Sequence, residues 1–402
     1  MERGNFKSLA NFENTSKKKF NRKNHGVVMK KTFLLIFSLC FMVILLTGCC
    51  SMAAEKEYNI VLLGDVHYDK LEFHQMPPPN VKVSWDKGVC DKNGVYLHRL
   101  GTKWMTDSCY TTAYNHPKNV RMWKEDVPAI IDRAAACGAE NNALYAFQLG
   151  DVIHGDCGKL ELHKKNLQEA LDFLTVRFKS PVLIACGNHD PRGPFGQQAW
   201  NEVMLPHFDR AAKNIQRKGT NFYITIGKDI YYFHDAMNPD LDFLQEALQK
   251  NKNARYTFFV SHVPLISMAK NHINEGLGEN IDRLLEMLEK RDAIVLSGHT
   301  HWISLTQYRN NGHRIDQFIV NSTVRWPKID PFFDPAKNLS RNNFSKDHGG
   351  RVAIWNKHFE GKTVSPLNSR GTGHGLLRVS DAGVYVDYYN FKQDKVYTYQ
   401  LR

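Results

Sequence analysis

The sequence predicts an α/β fold built on largely parallel strands, with a polar site at their carboxyl ends. Three observations lead there. Short apolar runs recur, and each stops at a cluster of Asp, Asn or His. Amphipathic helical stretches separate consecutive runs, the strand–helix–strand order that builds a parallel sheet. At 402 residues, with 42% hydrophobic and 23% charged content, the chain can bury a full core.

Taken from the start, residues 1–28 are polar, Lys- and Asn-rich and precede a second start at Met29. They read as a disordered or mis-assigned leader. Met29-Lys30-Lys31 followed by apolar Thr32–Leu46 has the charged and hydrophobic regions of an export signal, set at 29–48. The apolar part is short for a spanning helix. It ends in Leu46-Thr47-Gly48-Cys49, which resembles the lipobox of bacterial lipoproteins. That resemblance implies cleavage before Cys49, a lipid on its thiol, and a lipoprotein exported to the bacterial cell envelope. An uncleaved signal anchor is the alternative. Residues 49–57 then form a linker.

Residues 1–48 carry nine Lys/Arg against Glu2 and Glu13, a net +7, which leaves +5 of the formal +12 for everything after residue 48. So mildly basic a body does not call for a nucleic-acid partner. Export makes disulfides stable, and Cys90 and Cys109 share one irregular stretch that they can staple. Cys186 ends an apolar run and reads as an inert buried thiol.

The folded body is expected over 58–326. Tyr58–Leu63 is the first strand. An irregular stretch, about 71–124, contains Trp85, Tyr96, Trp104, Tyr110 and Tyr114 and reads as an ordered insertion that screens substrates. Asp126–Gly138 reads as a helix stopped by Gly138. Ala146–Leu149, helix Leu160–Phe178 and strand Val182–Ala185 follow. Thr220–Ile226 and Asp229–Phe233 flank Gly227-Lys228 as a hairpin. Helix Asp240–Lys250, strand Tyr256–Val260, helix Asn280–Lys290, strand Ala293–Leu296 and strand Gln317–Val320 complete the body. Beyond it, 327–402 reads as a C-terminal β extension with alternating strands at Leu376–Val379, Val384–Tyr389 and Val396–Leu401.

The strand ends carry the chemistry. They present Asp65 and His67, Asp151, Asn188-His189-Asp190, His262, and His299 and His301. Carboxylate and imidazole without thiolate suit Mn, Fe or Zn. Seven ligands (Asp65, His67, Asp151, Asn188, His262, His299 and His301) exceed one ion and suit two, about 3.5–4 Å apart and sharing a carboxylate.

The order D-x-H, G-D, G-N-H-D, H and G-H-x-H resembles that of the calcineurin-like metallophosphoesterases, over about 58–326. The resemblance implies a β-sandwich of mixed, largely parallel sheets flanked by helices, four layers in the order αββα. It implies that Asp65, His67, Asp151 and His301 hold one ion. A bridging Asp151 with Asn188, His262 and His299 holds the other. It further implies phosphate-ester hydrolysis by a hydroxide shared between the ions, with His189 assisting the leaving group. In many relatives an acid three residues after the bridging Asp orients that histidine. Here the position is His154. Asp156 or Asp190 takes the role, or His189 is held differently and His154 faces the substrate. Arg325 and Trp326 are further candidates for binding phosphate and an organic group.

The expected substrate is a small phosphorylated organic molecule, either a phosphodiester, a nucleotide or a phosphomonoester. A lipoprotein that binds metal and phosphate without turnover is the competing class, although its full ligand set argues for catalysis. A nuclease is the third reading, disfavoured by the modest charge.

Overall fold

The structure is a computed structural model and describes residues 57–73, 89–90, 96–97, 99–100, 103–104, 119–157, 159–193, 195–266, 280–323, 332–333 and 351–402. The leader, the signal, Cys49, most of the insertion, Arg325 and Trp326 lie outside them.

Two mixed sheets form the frame. In the first, β1 (Tyr58–Leu63), β6 (Tyr145–Gln148) and β7 (Val182–Ile184) run parallel. β17 (Gly373–Ser380) pairs antiparallel with β1, followed by β18 (Gly383–Asn390) and β19 (Lys395–Gln400), giving the order β19-β18-β17-β1-β6-β7. The second sheet has a parallel centre of β10 (Asp229–His234), β11 (Thr257–Ser261), β12 (Ile294–Ser297) and β14 (His313–Ile319). β9 (Asn221–Ile226) and β8 (Gln216–Lys218) extend one side. β13 (Ile303–Asn310), β16 (Thr363–Arg370) and β15 (Phe332–Phe333) extend the other. Within the insertion, β2 (Val89–Cys90) pairs with β3 (Tyr96–Leu97), and β4 (Arg99–Leu100) with β5 (Lys103–Trp104).

The alternation of the second sheet explains the layers. Tyr231, Phe233, Phe258, Val260, Ile294 and Leu296 face the first sheet, while Ile230, Tyr232, Phe259 and Val295 face away. A period of two in the chain thus divides one strand between two cores. Phe147 of the first sheet packs edge-on against Tyr231 and Phe233 of the second, with centroids 5.3 and 5.0 Å apart. At the same junction Tyr58 donates its hydroxyl to Asp229 at 2.7 Å.

Helices cover both outer faces. α1 (Val127–Glu140), α2 (Leu160–Arg177) and α3 (Gly196–Ala211) belong to the core of the first sheet through Ile131, Leu171 and Trp200. α4 (Leu241–Lys250) and α5 (Ile281–Glu289) bury Leu244 and Leu285 against the second sheet, joined by Trp355 of α6 (Arg351–His358). The side chain of Asp240 caps α4, accepting from Phe243 N at 2.8 Å. Among the described residues no helix is long and apolar enough to cross a membrane.

Two expectations change. Gly138 does not stop α1 but lies inside it, because a Cβ there would meet Val61 Cγ2 at 2.7 Å. Its bareness lets the helix approach β1 closely. The C-terminal strands are not a peripheral extension. β17 buries Leu376, Leu377 and Val379 beside β1, and β16 pairs with β13, so both sheets are completed by residues 363–400.

Candidate dimetal centre

Buried parallel strands deliver their carboxyl ends to one place. Asp65 and His67 follow β1, Asp151 follows β6, and Asn188 and His189 follow β7. His262 follows β11, and His299 and His301 follow β12. Residues of both sheets therefore meet in a single cluster.

The backbone there is unusual. His67, Asp151, His299 and His301 have φ of +48°, +55°, +69° and +57°. A non-glycine residue in that region costs on the order of 1 kcal/mol or more, so the surroundings must hold it. Val66 N and His67 N both donate to the Asp151 carbonyl, at 3.0 and 2.8 Å. The Asp65 carbonyl accepts from Thr323 N at 2.9 Å, Ser322 Oγ at 3.0 Å and Thr323 Oγ1 at 3.1 Å. Asp190 binds no ligand atom; its carboxylate accepts from the backbone N–H groups of Gly187, Asp151 and Ile153 at 2.7, 3.0 and 3.1 Å. Gly187 is obligatory at this junction, since a Cβ would lie 2.1 Å from Asp151 N.

Two ligand groups that contain a carboxylate result. Asp65, His67 and His301 form one and Asp151, His262 and His299 the other, and His67, His154 and His189 make a third of imidazoles alone, with the ligand atoms of each group within 4.8 Å of one another. His301 Nε2 lies 3.0 Å from Asp65 Oδ2, and His262 Nε2 lies 3.2 Å from Asp151 Oδ2. His67 Nε2 stands 3.7 Å from the same Asp151 oxygen and 3.9 Å from Asp65 Oδ2, which places Asp151 between the groups. Asn188 Oδ1 is 3.1 Å from His262 Nε2. His262 directs Nδ1 to the Leu149 carbonyl at 2.8 Å, which leaves Nε2 as its ligand atom.

These donors fit two cations. Asp65 and Asp151 are buried, and the groups facing them are imidazoles rather than lysine or arginine. Asp65 Oδ2 is buried, with His301 Nε2 as its close polar neighbour. Burial pushes both carboxyls upward, but the surrounding histidines outweigh it and hold them below the usual carboxylate range. Burial lowers His67 to about 4, a neutral ligand at ordinary pH. His262 responds oppositely: burial lowers it, yet Asp151 and Asp65 push it up to about 9.

His189 sits beside the first group, its ring centroid 4.7 Å from that of His67. Neither candidate acid orients it. Its Nδ1–H donates to the His154 carbonyl at 2.9 Å, and Arg192 Nη1 donates to Nε2 at 3.0 Å. Asp190 ties backbone loops and Asp156 pairs with Arg192, so of the sequence alternatives His189 is held differently. Burial, then the Arg192 charge, keeps its imidazole well below the usual histidine range. The His154 ring lines the same cluster, 5.2 Å from His67 and 4.9 Å from His189.

Three residues at this site escape a ligand-spacing search. Asn119 Nδ2 and Trp123 Nε1 each donate to the His67 carbonyl at 2.7 Å. Arg192 follows the Asn188-His189-Asp190 motif by two residues, and an arginine so close to candidate phosphate chemistry is the signal that points to it.

A family model described as calcineurin-like phosphoesterase matches residues 58–302. Among solved structures, a dimetal phosphatase from Danio rerio aligns at a TM-score of 0.49 and 10% identity, over 86% of this chain and 99% of that one. A purple acid phosphatase from yellow lupin (Lupinus luteus) seeds aligns at 0.46 and 10%, over 86% and 53%. The anchor in the inner membrane complex of Plasmodium aligns at 0.41 and 11%, over 86% and 89%. No curated protein matches the sequence.

Proposed function

The chain belongs to the calcineurin-like phosphoesterase family, and from that premise we propose that it hydrolyses a small phosphorylated organic molecule outside the cytoplasm. It is a metal-dependent phosphoesterase. The observation that carries the reading is the pair of carboxylate–imidazole groups abutting at Asp151, with imidazoles of both groups 3.2 and 3.7 Å from one of its oxygens.

In this reading Asp65, His67 and His301 would hold one ion, Asn188, His262 and His299 the other, and Asp151 would serve both. Manganese, iron or zinc suits such a donor set. When bound, two cations supply positive charge to phosphoryl oxygens and make water acidic enough to attack near neutral pH. The protein's own contribution is preorganisation. Left-handed residues pinned by backbone hydrogen bonds hold the ligands before any substrate arrives. His189 serves the leaving group. Its Nδ1–H is committed to the His154 carbonyl, so Nε2 is the ring nitrogen that would take up a proton released by the attacking water and hand it to a leaving alkoxide.

The envelope location rests on the signal-like 29–48 and on Cys49 as lipid carrier, and the insertion around 71–124 is the proposed specificity element. A panel of aryl monoesters and diesters, nucleotides, lipid headgroup esters and DNA, run on metal-reconstituted protein, tests the reading. Turnover of small esters is expected. Two bound ions with no turnover of any ester would favour a binding protein instead.

A further inference from the structure

We propose that Arg192 contacts the substrate and selects phosphate groups carrying two negative charges, favouring phosphomonoesters over diesters. The inference rests on the phosphoesterase reading above and narrows its substrate class.

The guanidinium is positioned for that task. Arg192 Nε donates to Asp156 Oδ1 at 2.9 Å and Nη2 to Asp156 Oδ2 at 2.5 Å, a fork that fixes its plane. Nη2 also donates to the His154 carbonyl at 3.0 Å. The loops that carry the pair are tied together, with Asp156 N donating to the Arg192 carbonyl at 2.8 Å. The Nη1 edge reaches His189 Nε2 beside the ligand cluster. The side chain keeps 23% of its surface exposed, so a ligand entering the cluster can reach it.

The present partner of Nη1 is a neutral imidazole nitrogen. A phosphoryl oxygen offers that donor a charge-assisted bond, which is roughly twice as strong as a neutral one. Exchange would also free His189 Nε2 to take up the proton that it passes to the leaving oxygen. Asp156 cancels much of the guanidinium's charge at a distance, so the gain is a contact effect that grows with charge on the oxygen. A monoester spreads about two charges over three such oxygens, whereas a diester has one charge over two. The arginine also needs no reorganisation, since its fork is already anchored.

The competing role is structural, with the Arg192–Asp156 pair merely bracing two loops. Such a brace would not distinguish one ester from another. The test uses the full chain loaded with two metal ions, p-nitrophenyl phosphate as monoester and bis-p-nitrophenyl phosphate as diester. Arg192→Gln should lower kcat/KM for the monoester by about 10–100-fold and for the diester by no more than about 3-fold, as expected for loss of a hydrogen bond to a charged group. Arg192→Lys should recover part of the monoesterase loss. The dissociation constant of inorganic phosphate, measured by calorimetry, should weaken in step. Should Arg192→Gln destabilise the fold by leaving Asp156 unpaired, the double variant Asp156→Asn/Arg192→Gln removes the pair neutrally and must show the same selective loss. Equal losses on both esters, or an unchanged ratio in an active protein, overturn the assignment alone. A wild type that binds two ions yet cleaves neither ester overturns the phosphoesterase reading, and this assignment with it.

Discussion

Trp123 donates its indole N–H to the backbone carbonyl of His67 at 2.7 Å, on the oxygen that Asn119 also binds. Two side-chain donors on one carbonyl hold a ligand whose own φ is +48°. Trp123→Phe keeps the ring packing on Tyr68 and Phe173 but removes that donor. Affinity of the ion held by Asp65, His67 and His301 should fall about 10–100-fold, the usual cost of losing an outer-shell contact. Equilibrium dialysis should show the second ion unaffected; an equal loss at both sites would mark Trp123 as a packing residue only.

Asp151 faces imidazoles of both groups, whereas the carboxylate that His301 faces is that of Asp65. Asp151→Ala should therefore strip both ions, and His301→Ala one. Metal analysis of purified variants reads this directly. A single ion lost from Asp151→Ala would show that the carboxylate serves only one site.

His189→Ala should retain both ions, because its ring nitrogens are engaged by the His154 carbonyl and Arg192 rather than by a ligand carboxylate. Turnover should drop by about 10²–10⁴-fold, the range of general acid–base groups. The drop should shrink for aryl esters whose leaving groups need no proton. Uniform loss across leaving groups would assign His189 to phosphate positioning.

Two buried histidines that belong to no ligand group set an acid limit on stability. Burial holds His374 at about 3, and burial outweighs Asp235 to hold His234 at about 4. Both are neutral when folded, while an unfolded histidine takes up its proton near pH 6.5. Stability is thus full above about pH 6.5 and declines as pH falls towards the folded values. The slope is on the order of 1 kcal/mol per pH unit for each group. Denaturant melts of metal-free protein from pH 7 to 4.5 should show it. His374→Phe, which keeps a ring against Tyr389, should flatten the slope, and an unchanged slope would rule the residue out.

Cys49→Ser should release soluble protein or block processing of the signal, because lipid attachment needs the thiol. Membrane fractionation decides, and an unchanged membrane fraction would remove Cys49 as the anchor.

The sequence makes the strand ends legible for a physical reason. A parallel strand covered on both faces is a continuous apolar run, so its end is marked by the first polar residue, as at Leu63-Gly64-Asp65 and Leu296-Ser297-Gly298-His299. α3 escapes because its start, Gly196-Gln197-Gln198, follows Phe195 rather than a capping residue, and Pro206 interrupts it. β13 escapes because Gln307, Arg309 and Asn310 break its apolar pattern. The place of β17 is hidden for another reason: periodicity gives a strand and its faces, never its neighbour. Arg192, Asn119 and Trp123 act through hydrogen bonds to other side chains or to carbonyls, and no spacing rule encodes such contacts.

The pairing of β1 with β17 joins almost the two extremes of the folded chain, Tyr58 opposite Val379 and Leu62 opposite Gly375. On a ribosome, β1 emerges early and waits for its neighbour until nearly everything else has been made. Asp65 and His67 hang from the end of that waiting strand. Such long-range closure is slow and comes late, after the local helices have formed. The ligand cluster should therefore be among the last features to assemble, and a nascent chain has no finished cage to trap a stray cation. Truncation before β17 should abolish metal binding even though every ligand residue remains present.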